Sequence, residues 1–142
     1  MTGFNTIVRH LEQLRLYLDR LAELQRYSRE ALLGDWHVQT IVERTLQLAI
    51  EAVISISEQI IASLSLPTPE NSRAALGALA DAGVLQRDLA IELQQAVVFR
   101  NVIVHQYISI DYNHVYDALH NDLGQIEAFL AAASAFVQSQ GK

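Results

Sequence analysis

The chain has 142 residues, no cysteine, 51% hydrophobic residues and a formal charge of 10 − 16 = −6 at pH 7. Such a length suits one domain, able to bury about 70% of the surface its unfolded chain exposes. Lack of cysteine excludes disulfides, thiolate-bound zinc, iron–sulfur clusters and a thiol nucleophile, and the negative sum speaks against a broad basic surface for duplex DNA.

No uninterrupted apolar run reaches the ~18 residues of a membrane span, and charges from Arg9 onward break up the N-terminus. A soluble cytoplasmic protein is expected, with no membrane partner. Nine of the ten basic residues are arginine, the side chain suited to bidentate contacts with phosphate or carboxylate.

In chain order, Phe4, Ile7, Leu11, Leu14, Leu18 and Leu21 alternate in steps of three and four, the stripe of an amphipathic helix, with Thr2 or Asn5 as its cap. A short helical piece follows Ser28 and stops at Gly34. The next helix runs from about Trp36 or His37 to Ser63. Its residues Val42, Leu46, Ala49, Ile50, Val53, Ile54, Ile56, Ile60 and Ile61 fill an arc of roughly 160°. A bundle helix needs little more than 100°, so the surplus predicts a second contact, most economically a homodimer.

Pro67 and Pro69 then forbid helix, and Asn71 or Ser72 caps a short one that ends at Gly83. Another helix runs from about Gln86 to between Asn101 and His105. A final helix begins after Asp111 and carries Val115, Leu119, Leu123, Ile126, Leu130, Ala133 and Val137 as one stripe. No strand–turn–strand signal or internal repeat is present. The expectation is one all-α domain over residues 1–142, a bundle of four main helices plus short ones.

The chemistry concentrates in AVVFRNVIVHQY. Between Ala96 and Val104 only Arg100 and Asn101 are polar. As helix, Arg100 falls within the stripe of Leu89, Leu93, Ala96, Val97 and Val104, and His105 on a second apolar stripe near Ile91, Val98 and Val102. A helix apolar all round is expected to be buried all round. An arginine there either finds a paired partner or opens onto a cleft, since an unpaired buried charge costs several kcal/mol or more (~).

On a straight helix, positions 100 and 105 point ~140° apart. They share a site only if the helix ends before His105 or if two chains bring their copies together. Taken singly, such an arginine is most often an ion-paired structural residue and such a histidine a satisfied core or surface group. As a set they suit phosphate chemistry: the imidazole exchanges protons, the guanidinium neutralises a phosphorane, and Asn101 orients either.

The segment resembles the R-x4-H-x-Y motif of HEPN-domain toxins of the HepT family, which pair with MntA-type minimal nucleotidyltransferase antitoxins. Here the motif reads Arg100, NVIV, His105, Gln106, Tyr107. LQLAIEAVISIS (46–57), ALADAGVL (78–85) and FRNVIVHQYISID (99–111) also look like blocks of that family, in matching order. The resemblance implies a homodimeric, metal-independent ribonuclease of HEPN-type fold that needs no cofactor, with Arg100 and His105 as its catalytic pair and Asn101 beside them. It also implies that Tyr107 accepts AMP from the cognate antitoxin, placing a phosphate and a bulky nucleoside next to the cationic site. Tyr107 packing under the following turn is the plainer alternative. RNA, whether tRNA or mRNA, is the implied substrate.

Elsewhere, His10, His37, His114 and His120 lack metal-ligand spacing and are expected to be ordinary surface or boundary residues. Glu43, Glu51 and Glu58 are expected on a solvated face of the long helix, with Glu51 or Arg44 as a remote candidate to hold Arg100. No Gly-rich phosphate loop or paired-aspartate nucleotidyltransferase motif occurs, so the chain looks like the recipient of AMP and not its donor. The rival readings are a non-catalytic helical partner that presents substrate or nucleotide to a nucleotidyltransferase, and a purely structural helical dimer. The acidic charge sum favours the first of these rivals over an enzyme facing long RNA.

Overall fold

The computed structural model describes the backbone of residues 2–105 and 110–140 and the side chains of residues 5–103 and 110–140. It contains α1 (Thr2–Leu24), α2 (Arg29–Gly34), α3 (Trp36–Ser63), α4 (Ser72–Asp81), α5 (Arg87–His105), α6 (Tyr112–Asn121) and α7 (Leu123–Gln140). Four are long and three short, and the described residues form no strand. Phe4, expected in the core, lies outside the described side chains.

The helix boundaries follow local chemistry. Ser28, Asp35, Asn71 and Asp111 each accept a backbone N–H from the first turn of α2, α3, α4 and α6. Asn5, in contrast, lies inside α1 and does not cap it. Gly83 takes φ 79° after α4, with the Val84 amide on the Leu79 carbonyl at 2.9 Å and the Gly83 amide on Ala80 at 3.1 Å. α3 ends the same way, but with Ser65 at φ 58° in place of glycine.

The expected final helix is two. Asp122 still bonds the Ala118 carbonyl, but α7 restarts at Leu123, and the Gln125 and Ile126 amides turn to the Asp122 carbonyl. The apolar stripe continues across this break, which is why periodicity alone does not reveal it. Phe129, absent from the expected stripe, is fully buried.

α3 is the spine. α1 packs along it and also against α7, α4 and α5 cover another side, and α2 and α6 pack together near its start. Every residue of its expected apolar arc is buried within the single chain. The surplus surface is therefore consumed by neighbouring helices, and the homodimer loses that argument. Thr45 and Ser57, polar residues on the buried side, donate to the Ile41 and Val53 carbonyls one turn back, so neither is left unsatisfied. α3 is long and apolar enough by composition to cross a bilayer, yet most of its apolar window is covered by the other helices, as in a core helix.

Two arginines register distant parts of the chain. Arg15 on α1 donates through both Nη atoms to the Glu127 carboxylate on α7, at 2.9 and 2.6 Å. Arg29 on α2 donates to Asn113 Oδ1 at 2.8 Å and Asp117 Oδ1 at 2.9 Å on α6, with its guanidinium 4.3 Å over the Tyr116 ring. Being exposed, each pair contributes about 1 kcal/mol or less. Their value lies in geometry.

Candidate active site

α5 buries Ala90, Leu93, Ala96, Val97 and Ile103, the side that faces the bundle. Its opposite stripe is open. Ile91 and Val98 are each 46% exposed and Val102 is half-buried, so the helix is not buried all round. Ile91 and Val98 thus face solvent in the single chain.

Arg100 stands on the bundle side, half-buried, as its stripe predicts. Its Nε is buried with no hydrogen-bond partner, and no ion pair joins it to a carboxylate among the described residues. Glu51 and Arg44, the remote candidates to hold it, do not. Glu51 is half-buried beside Gln47 Nε2 at 3.4 Å, and Arg44 is exposed. A buried Nε left this way is costly to the fold, which distinguishes Arg100 from the paired arginines at positions 15, 29 and 87.

Asn101 is exposed on the next position round the helix. The α5 backbone stays helical through His105, so the alternative of a helix that ends before this histidine falls away. Tyr107 lies outside the described residues.

Beyond the motif, Asp111 caps α6, and the Tyr112 hydroxyl donates to Glu43 Oε1 on α3 at 3.0 Å. Burial, with the neighbouring Glu43 carboxylate adding to it, pushes the Tyr112 phenol up to about 12. Glu43 is thus a half-buried acceptor and not part of a solvated face. Its place in the site region was missed because a contact between positions 43 and 112 leaves no trace in local sequence. Glu58 is exposed as expected.

A pocket of about 300 Å³ opens on another flank of α5, between Glu92, Phe99, His114, Asp117 and Asp122. Burial and the facing Glu92 carboxylate raise the Asp122 carboxyl above its ordinary value. Three carboxylates make this pocket repellent to phosphate. No group of three or more His, Asp or Glu suited to a metal ion occurs among the described residues. Of the other histidines, His10 Nδ1 accepts from Gln59 Nε2 at 2.7 Å, His37 stacks on Trp36, and His120 lies against Tyr116.

Comparison with known proteins adds to this geometry. A family model described as ribonuclease HepT-like matches residues 7–133. The chain is similar to a tRNA nuclease HepT of Aphanizomenon flos-aquae, 28% identical over 139 residues, which cover 96% of this chain and 95% of that protein. It is also similar to an mRNA nuclease HepT of Shewanella oneidensis, 29% identical over 101 residues, 71% of this chain and 76% of the other. Among solved structures, a tri-AMPylated Shewanella oneidensis HEPN toxin in complex with MNT antitoxin superposes with a TM-score of 0.83 at 24% identity, covering 91% and 96% of the two chains. At that identity the superposition speaks for the fold.

Proposed function

The chain belongs to the HepT-like ribonuclease family, and from that premise we propose that it is the toxin of a HEPN/MNT toxin–antitoxin pair: a cytoplasmic, metal-independent endoribonuclease formed by one domain over residues 1–142. The observation that carries the reading is Arg100, a guanidinium kept against the bundle with a buried Nε and no described partner. A fold built for stability alone gains from replacing such a group by an apolar one. A phosphodiesterase gains from keeping it.

The mechanism assigns each motif residue a task. His105 takes the proton of an RNA 2′-hydroxyl, whose oxygen bonds the adjacent phosphorus. The bond from phosphorus to the 5′-oxygen breaks, and that oxygen takes up a proton. The products carry 2′,3′-cyclic phosphate and 5′-hydroxyl ends. Arg100 stabilises the charge gathering on the phosphorane, and Asn101 orients the pair.

Positions 100 and 105 lie ~140° apart on one helix, so the site is assembled from two copies. The exposed stripe of Ile91 and Val98 on α5 supports this homodimer, because it offers an apolar seam along the motif helix itself. The antitoxin, an MntA-type nucleotidyltransferase, then silences the enzyme. The Tyr107 oxygen bonds the α-phosphorus of ATP, pyrophosphate leaves, and the attached AMP repels and obstructs the RNA backbone.

Cleavage of tRNA and mRNA by the wild type, Arg100→Ala and His105→Ala proteins tests the assignment. Loss of at least about 100-fold in both variants, with helicity unchanged, is expected. Undiminished cleavage by either overturns its role. The rival of a non-catalytic partner predicts no histidine-dependent product from any of the three. Co-expression with the antitoxin should add AMP-sized mass to the wild type and none to Tyr107→Phe.

A further inference from the structure

Trp36 is the only tryptophan of the chain, and at 66% exposure it exceeds the other exposed large apolar side chains of the described residues. It opens α3, where Asp35 caps the helix through the His37 amide at 2.9 Å. Its indole lies parallel to the His37 ring, with centroids 3.9 Å apart and planes 26° apart. An indole this open adds little to the core. The neighbouring imidazole backs one part of it, and the rest remains available to a flat partner.

The position of this ring pair relates it to the motif. Trp36 precedes Glu43 by seven residues, which is two turns and about 10 Å along one side of α3. Glu43 receives the Tyr112 hydroxyl, and only six residues separate Tyr112 from His105, a reach of at most about 25 Å. The indole therefore shares α3 with Glu43, the residue that fastens the start of α6. Among the described residues, every ring–ring and cation–ring contact falls on residues 26–37 or on α6: Arg26 over Tyr27, Arg29 over Tyr116, Tyr116 with His120, and Trp36 with His37.

We propose that Trp36, backed by His37, is a stacking platform for an unpaired base of the RNA substrate. The inference rests on the ribonuclease reading and adds a substrate subsite to it. A chain of net charge −6 holds RNA poorly by electrostatics alone. Stacking requires no charge, and every base presents a π-face to it. Arg44 is exposed eight residues along α3, ~80° round the helix from Trp36. Ile41, the other exposed apolar residue at this end of α3, lies ~140° round the helix from Trp36.

The sole tryptophan supplies its own probe. Full-length His105→Ala protein, titrated with short single-stranded oligo(A) and oligo(U), should show saturable quenching of indole fluorescence. In otherwise wild-type protein, Trp36→Ala should raise the KM for single-stranded RNA about tenfold with kcat kept, and Trp36→Phe should restore most of the loss. Quenching without any cleavage by the wild type would retain the platform and overturn the ribonuclease reading. Cleavage by the wild type with no quenching, or with an unchanged KM in Trp36→Ala, overturns the platform alone. Emission that responds to the co-purified nucleotidyltransferase but not to RNA overturns it in favour of a protein-docking face.

Discussion

α3 and α5 are the two most apolar-looking stretches near the centre of the chain, and they use that apolarity differently. α3 places its whole hydrophobic arc inside the protomer and satisfies even its buried hydroxyls at Thr45 and Ser57. α5 leaves Ile91 and Val98 in solvent and holds Arg100 with a buried, unpartnered Nε. α3 keeps its exceptions off that arc, at exposed Trp36 and Ile41 and at Gln59 Oε1, buried without a partner, whereas those of α5 lie on the motif helix. Unresolved conflicts of this kind mark the places where a fold serves something besides its own stability.

That contrast can be broken by substitution. Ile56→Ala on α3 removes a fully buried side chain and should cost about 2–5 kcal/mol in urea unfolding. A cost below 1 kcal/mol (~) would remove α3 as the spine. Val98→Asp on α5 should leave helicity and melting temperature nearly unchanged while turning a dimer into a monomer in light scattering. A dimer that persists would place the seam elsewhere.

Arg100→Met sharpens the comparison further, because it should stabilise the chain by roughly 1 kcal/mol while abolishing RNA cleavage. A destabilised variant would make the arginine a structural residue. The smallest effect concerns Tyr112. Its phenol is raised from 10.0 to about 12 in the fold, so the contribution to stability is whole below pH 10 and is lost as pH climbs through about 12. Tyr112→Phe should flatten the stability profile over that window, and an unaltered slope would refute the raised phenol.

Much of this architecture can be read from local sequence. Alternating leucines define α1, two prolines separate α3 from α4, and Gly83 and Asp111 sit where the structure ends one helix and begins another. Three features escape such reading because they depend on what lies opposite. The arc of α3 looks too wide for one protomer until α1, α4 and α5 are placed on it. The second stripe of α5 looks like core until nothing described covers it. The break at Asp122 is hidden because the stripe keeps its phase across one residue. At the site, spacing locates Arg100 correctly on the bundle side and Asn101 beside it, whereas the bond between Tyr112 and Glu43 requires coordinates.

The separation of α6 from α7 has a consequence for how the molecule is made. Glu43 waits for Tyr112, Arg29 for Asp117 and Arg15 for Glu127, partners 69, 88 and 112 residues later in the chain. A polypeptide leaving the ribosome exposes its N-terminal half first. α5 is thus translated before α6 and α7, and a product stalled at its end lacks the partners of Glu43, Arg29 and Arg15.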